Sequence, residues 1–138
     1  MSKNLELARV LVVDDELSSR LTLQTLLEAG GYSVDVAGSA AEAIRKLDQG
    51  QYELVLSEAE MESPQAGLRV LSHARVKEYK PATALVTAYR EAKASRHQMG
   101  DEQQVSINAE NVSALLARVA DLIGMRAFER RAQRAAQS

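Results

Sequence analysis

Three short stretches of this chain carry side chains that could do chemistry together: Asp14-Asp15-Glu16, Ser57-Glu58 and Thr87-Ala88. Each follows or closes a short apolar run of the kind that forms a buried strand. Carboxylates brought close together repel one another. The usual relief is a hard divalent cation with oxygen ligands, for which Mg2+ is the natural candidate. Asp14, Asp15 and Glu58 are therefore the candidate metal ligands, with Thr87 as a neutral hydroxyl at a corresponding strand end. An Asp-Asp pair has a second use, as a cap that favours the positive end of the helix that follows. Both uses stay open at this level.

For these stretches to meet, their strands must lie side by side with their carboxyl ends together, as in an open parallel sheet. The chain supplies such an alternation. Residues 9–13 (RVLVV) are apolar on both faces, and 17–29 read as a helix stopped by Gly30-Gly31. Residues 32–36 alternate as a second strand, and Ser39 with Glu42 forms a capping box for a helix carrying Ala43, Ile44 and Leu47 inward, stopped by Gly50. A third strand spans 52–57, a helix runs from about 67 to 77, and Pro81 marks the turn into a fourth strand at 82–87. A weakly amphipathic helix over 91–99 and a short polar strand at 104–107 complete five strands. Asn111 then caps a last helix with Val112, Leu115, Leu116, Val119, Leu122 and Ile123 on one side. The fold class this predicts is α/β, a doubly wound sheet of five parallel strands flanked by five helices. Beyond Gly124, residues 125–138 carry Arg126, Arg130, Arg131 and Arg134 against Glu129, with Met125 and Phe128 as the large anchors. This stretch could extend the helix, but with so few anchors it reads as a mobile basic tail beside a domain over 1–124.

With 46% apolar and 26% charged residues, the 138 residues suffice for one substantial core. A formal net charge of −2 gives no positive field over the protein, so nucleic acid is not an expected partner. The absence of cysteine excludes disulfides and thiolate metal sites and suits a reducing cytoplasm. No run approaches the roughly 20 apolar residues of a membrane span, so no membrane association is expected. One Phe, four Tyr and no Trp are too few for a base-stacking platform. His73 and His97 have no evident partner and read as surface residues. Neither a dinucleotide fingerprint nor a P-loop is present, and Ser57 and Ser63 lack an evident histidine base.

Taken in order and spacing, LVVDDE at 11–16, YELVLSEAEM at 52–61, ALVTAY at 84–89 and ALLARVADLI at 114–123 resemble the bacterial response-regulator receiver family over about residues 8–123. The resemblance implies a flavodoxin-like (βα)5 receiver fold and a cytoplasmic role in two-component phosphorelay signalling. It implies that Asp14 and Asp15 match the acids that hold Mg2+. The family's phospho-accepting aspartate falls on Glu58, and its hydroxyl and small residues fall on Thr87 and Ala88. Its Lys-Pro pair falls on Asn108-Ala109 and its aromatic switch position on Val105. The loop ESPQAGL after Met61 is one residue longer than the family's usual turn.

Phosphoryl transfer to a carboxylate needs an in-line nucleophile, a bridging metal and positive charge on the phosphoryl oxygens. Glu58 carries one extra methylene, and misplacement on the order of 1 Å can cost about 10²-fold in rate. The lysine is replaced by Asn108. The expectation is thus an atypical single-domain receiver, not an enzyme and not phosphorylated at a useful rate. It would bind a histidine kinase or a downstream signalling protein through the face of the fourth helix, fifth strand and last helix, as the resemblance implies, and a homodimer is a separate expectation. Glu58 could also imitate a phospho-aspartate reaching toward Thr87, although Asn108 lacks the ammonium to hold it. Two alternatives stand beside this: a working acceptor at Glu58 with Mg2+, and a small Mg2+-dependent phosphatase using Asp14-Asp15. The phosphatase ranks last because that pattern sets its two acids one residue apart. Arg90 or Lys93 turned into the acidic pocket would argue against the ion.

Overall fold

The computed structural model describes residues 8–59, 61–88, 104–107 and 112–137, with the backbone alone at Thr87, Ala88, 104–107, 130, 133, 134, 136 and 137. The strands are β1 (Arg9–Val13), β2 (Ser33–Ala37), β3 (Leu54–Glu58), β4 (Ala82–Ala88) and β5 (Gln104–Ile107). The helices are α1 (Leu17–Ala29), α2 (Ala40–Gln49), α3 (Ala66–Arg75) and α4 (Val112–Gln137). The strand order is β2-β1-β3-β4-β5, with every pairing parallel. The expected helix over 91–99, the Asn111 cap and Asn108 lie outside the described residues.

The apolar run of β1 is continuous because the sheet is covered on both faces. Leu11 and Val13 pack with Ala43 and Leu47 of α2 and Val70, Leu71 and Ala74 of α3. Val10 and Val12 point the other way, into a cluster with Leu23 and Leu27 of α1 and Leu115, Val119 and Leu122 of α4. Each fully buried leucine contributes about 1.5–3 kcal/mol to these two cores. The chain winds from β1 outward to β2 and then crosses back to β3. The carboxyl ends of β1 and β3 therefore flank the switch point where an open sheet leaves a crevice.

Local signals act largely as their chemistry dictates. Ser39 Oγ accepts from the Glu42 amide at 3.1 Å. The Glu42 carboxylate reaches back one residue further than a standard capping box, to the Gly38 amide at 2.8 Å. The largest departure is at the carboxyl terminus. The helix passes through Gly124 without a break and continues to Gln137, so residue 124 is no element boundary and the described part of the basic stretch is helical. Ala, Arg, Met and Glu in that stretch are good helix formers, and their summed propensity outweighs one glycine.

Candidate functional site

β1 delivers Asp14 into the crevice as a buried residue, 5% exposed. Its amide donates to Ala37 O at 3.0 Å, extending the β1–β2 ladder by one residue. Its Oδ1 accepts from the Glu16 amide at 3.0 Å. Burial pushes the Asp14 carboxyl above its ordinary value against the pull of the Glu16 amide, and the Asp15 and Glu16 charges push the same way as burial. Asp15 is exposed beside it.

Capping of α1, left open for the Asp pair, falls to Glu16. Its carboxylate accepts from the Ser19 amide at 3.0 Å and from the hydroxyls of Ser18 and Ser19 at 2.7 and 2.6 Å. These bonds hold its pKa below the usual glutamate value. Asp14 and Asp15 are thereby released from capping. Arg20, on the second turn of α1, is a site residue that sequence reasoning missed. Its Nη1 donates to Asp14 O at 2.7 Å and lies over Gly38, where a Cβ would stand 3.2 Å from it. Its guanidinium partly offsets the acidic charge on Asp14. The available signal was a cation in the amino-terminal half of a helix, where the dipole disfavours it.

Glu58 is the last residue of β3 and is partly exposed. The register pairs Val13 with Ser57 and Glu58 with Val86, so Asp14 and Glu58 follow at one level and Thr87 lies one residue beyond on β4. Ser57 is fully buried and its Oγ donates to Glu58 O at 3.0 Å, a structural role with no histidine in it. Behind the strand end, the Gly67 amide donates to Ala59 O at 2.9 Å. A Cβ on Gly67 would overlap the Glu58 carbonyl oxygen, so only glycine lets α3 start this close. The long loop between them folds over Ser63, whose carbonyl accepts from Met61 and Ala66 at 3.1 and 3.2 Å. Glu62 Oε2 accepts from the Ala40 amide at 3.1 Å, which ties this loop to the positive end of α2.

Among the described residues, no three His, Cys, Asp or Glu side chains are grouped as ligands of one metal ion. The set Asp14, Asp15 and Glu58 is thus not assembled as a three-carboxylate cage. The donor chemistry of β1 nevertheless fits Mg2+, which is commonly held by one or two carboxylates with water filling the remaining positions. A buried carboxylate whose charge is penalised is the kind of group a cation relieves. The side chains of Thr87 and Ala88, and Asn108, Arg90, Lys93 and His97, lie outside the described residues. His73 has a partner after all. Its Nε2 is 2.8 Å from Asp48 Oδ1, which also accepts from Lys77 Nζ at 2.7 Å, tying α3 and its following turn to α2 away from the crevice.

A family model described as Response regulator receiver domain matches residues 10–108. No curated protein sequence matches the chain. Among solved structures, the chain is similar to response regulator protein TrrA from Thermotoga maritima in complex with Mg2+-BeF. That match has 28% identity and a TM-score of 0.66 and covers 84% of this chain and 99% of that one. A CheY-like receiver domain protein from Methanospirillum hungatei matches at 20% identity and TM-score 0.71, over 90% of this chain and 99% of that one. NtrX from Brucella abortus matches at 18% identity and TM-score 0.77, over 91% of this chain but 29% of NtrX. The last two likenesses concern the fold alone.

Proposed function

Because this chain belongs to the response regulator receiver domain family, we propose that it is an atypical receiver, a protein-binding module of two-component signalling that works without being phosphorylated. The observation that carries this reading is Glu58 at the last position of β3, where the family has its accepting aspartate. The glutamate carboxylate stands about one carbon-carbon bond further from the backbone than an aspartate would. An in-line attack is sensitive to displacement on that scale, at about 10²-fold per ångström. Asn108, at the position of the family's lysine, offers no positive charge to a phosphoryl group. The partner class that fits is a cytoplasmic histidine kinase or a downstream signalling protein.

Asp14 and Asp15 are the residues that would hold Mg2+, which would supply positive charge to the acidic crevice. The unphosphorylated reading does not depend on it. The test is intact mass after incubation with acetyl phosphate and Mg2+, with the Glu58→Asp, Asn108→Lys double variant as positive control. A phosphoryl group gained by the variant alone supports the reading. A wild-type adduct that disappears in Glu58→Gln overturns it and makes Glu58 a working acceptor. Continuous release of inorganic phosphate by the wild type would instead favour the phosphatase alternative.

A further inference from the structure

Asp14 is the buried member of the acidic pair, and three of its four polar groups are engaged within the chain. Its amide is held by Ala37 O, its carbonyl by Arg20 Nη1 and its Oδ1 by the Glu16 amide. The fourth, Oδ2, has no hydrogen-bond partner among the described residues. Such an acceptor on a residue only 5% exposed costs free energy unless something fills the place. We propose that Arg20 and Gly38 form a clamp that aims the Asp14 carboxylate at a divalent cation, with Arg20 as a positioning residue and Gly38 as the opening it needs. This deepens the reading that Asp14 and Asp15 hold Mg2+ and rests on it.

The clamp joins three elements. Arg20 leaves α1, passes over Gly38 in the turn between β2 and α2, and ends on the Asp14 carbonyl at 2.7 Å. A Cβ on Gly38 would stand 3.2 Å from Nη1 and 3.7 Å from Cζ. The nearer distance is inside the ordinary contact range of about 3.5–4.0 Å, so any larger residue there pushes the guanidinium off its line. Gly38 is itself tied down, its amide donating to Glu42 Oε1 at 2.8 Å. The carbonyl that Arg20 grips belongs to the peptide unit joining Asp14 to Asp15, and that unit is planar. Fixing the carbonyl therefore fixes the plane from which both carboxylates project.

A guanidinium beside a cation site could instead compete with the ion for the carboxylate. The geometry favours positioning. Nη1 is bonded to the carbonyl and not to the carboxylate, and its pull on the Asp14 charge is the smallest of the effects acting on that group. Arg20 is also partly exposed, so water and salt screen its repulsion of an ion. Groups that orient a metal ligand from behind typically contribute about 10–100-fold in affinity.

Mn2+ shares the oxygen-ligand preference of Mg2+, and its free form is read directly by electron paramagnetic resonance. Titrating the full chain with Mn2+, with Mg2+ as competitor, gives the affinity of each variant. Arg20→Ala should weaken binding about tenfold. Gly38→Ala should weaken it by about threefold, because the tip of a flexible side chain yields partway and its bond to Asp14 O is weakened. The double variant should bind like Arg20→Ala alone, since Gly38 acts only through the guanidinium. Unchanged or tighter binding by Arg20→Ala overturns the clamp, as does a Gly38→Ala loss that persists undiminished in the Arg20→Ala background. If melting in EDTA shows that Arg20→Ala does not fold, Gly38→Ala decides, and its binding like wild type overturns the proposal. Wild type that binds no Mn2+, or binds it equally after Asp14→Asn and Asp15→Asn, overturns the reading of the two aspartates as cation ligands and the clamp with it.

Discussion

Gly67→Ala adds one carbon where α3 meets the end of β3. That Cβ would overlap Glu58 O and stand 2.8 Å from Ala59 Cα and 2.9 Å from Ala59 O. Ordinary carbon contacts lie at about 3.5–4.0 Å, and all three atoms are backbone, which cannot rotate aside as a side chain could. The helix start and the strand end must part by roughly 1 Å. Overpacking of this kind costs about 1–3 kcal/mol. Weakening the Gly67 N–H bond to Ala59 O (2.9 Å) adds about 0.5–1.5 kcal/mol. The better helix propensity of alanine returns up to about 1 kcal/mol. The net expectation is a loss of about 2 kcal/mol, or roughly 6–12 °C in Tm for a domain of this size. Gly124→Ala is the matched control, because its Cβ enters open space and should stabilise by up to about 1 kcal/mol. Thermal and urea unfolding of the two variants would check both signs. A neutral or stabilising Gly67→Ala would refute the argument that backbone crowding, not helix propensity, decides this position.

Burial raises the Asp14 carboxyl pKa, with Asp15 and Glu16 adding to the shift, so its ionised form weighs against folding above that raised value. Asp14→Asn keeps an acceptor for the Glu16 amide. It should melt higher than wild type at neutral pH in EDTA, with the gain shrinking as pH falls toward the ordinary carboxylate range of about 4. Equal melting at neutral pH would count against it. Glu16 is the opposite case: its folded pKa is lowered by Ser19 and Ser18, so its contribution is present above the unfolded glutamate value and lost as pH falls through the folded one. Glu16→Ala should therefore melt below wild type at pH 7 and converge with it in acid, as a pH series of melting curves would show. Millimolar Mg2+ should raise the Tm of wild type and leave the Asp14→Asn, Asp15→Asn double variant unmoved. A site with Kd near 1 mM would contribute about 1.4 kcal/mol at about 10 mM ion.

The sheet was legible because β1 and β3 are buried on both faces, which forces continuous apolar runs, and because Ser39 is a strong cap with little competition. The boundary of α3 lay within a residue or two, at Ala66–Arg75. The chemistry of the β1 turn was harder to read. Aspartate is the better helix cap by preference, and two aspartates precede Glu16. The hydroxyls of Ser18 and Ser19 nevertheless turn the glutamate into the cap, through three bonds that no single-residue preference encodes. Arg20 reaches Asp14 through space rather than along the chain, across a glycine that belongs to another loop. Gly124 is a stop signal by type, but stopping also requires a turn after it, and the following residues favour helix.

The bond from the Ala40 amide to Glu62 Oε2 makes one proton a gauge of the crevice. An amide at a helix start has no carbonyl of its own helix to shield it, so its exchange with solvent is governed by how often Glu62 lets go. Glu62 sits in the loop that leaves β3 just after Glu58. Any binding event that loosens or tightens that loop is therefore written into the hydrogen-exchange rate of Ala40, on a different helix and without any label added to the protein.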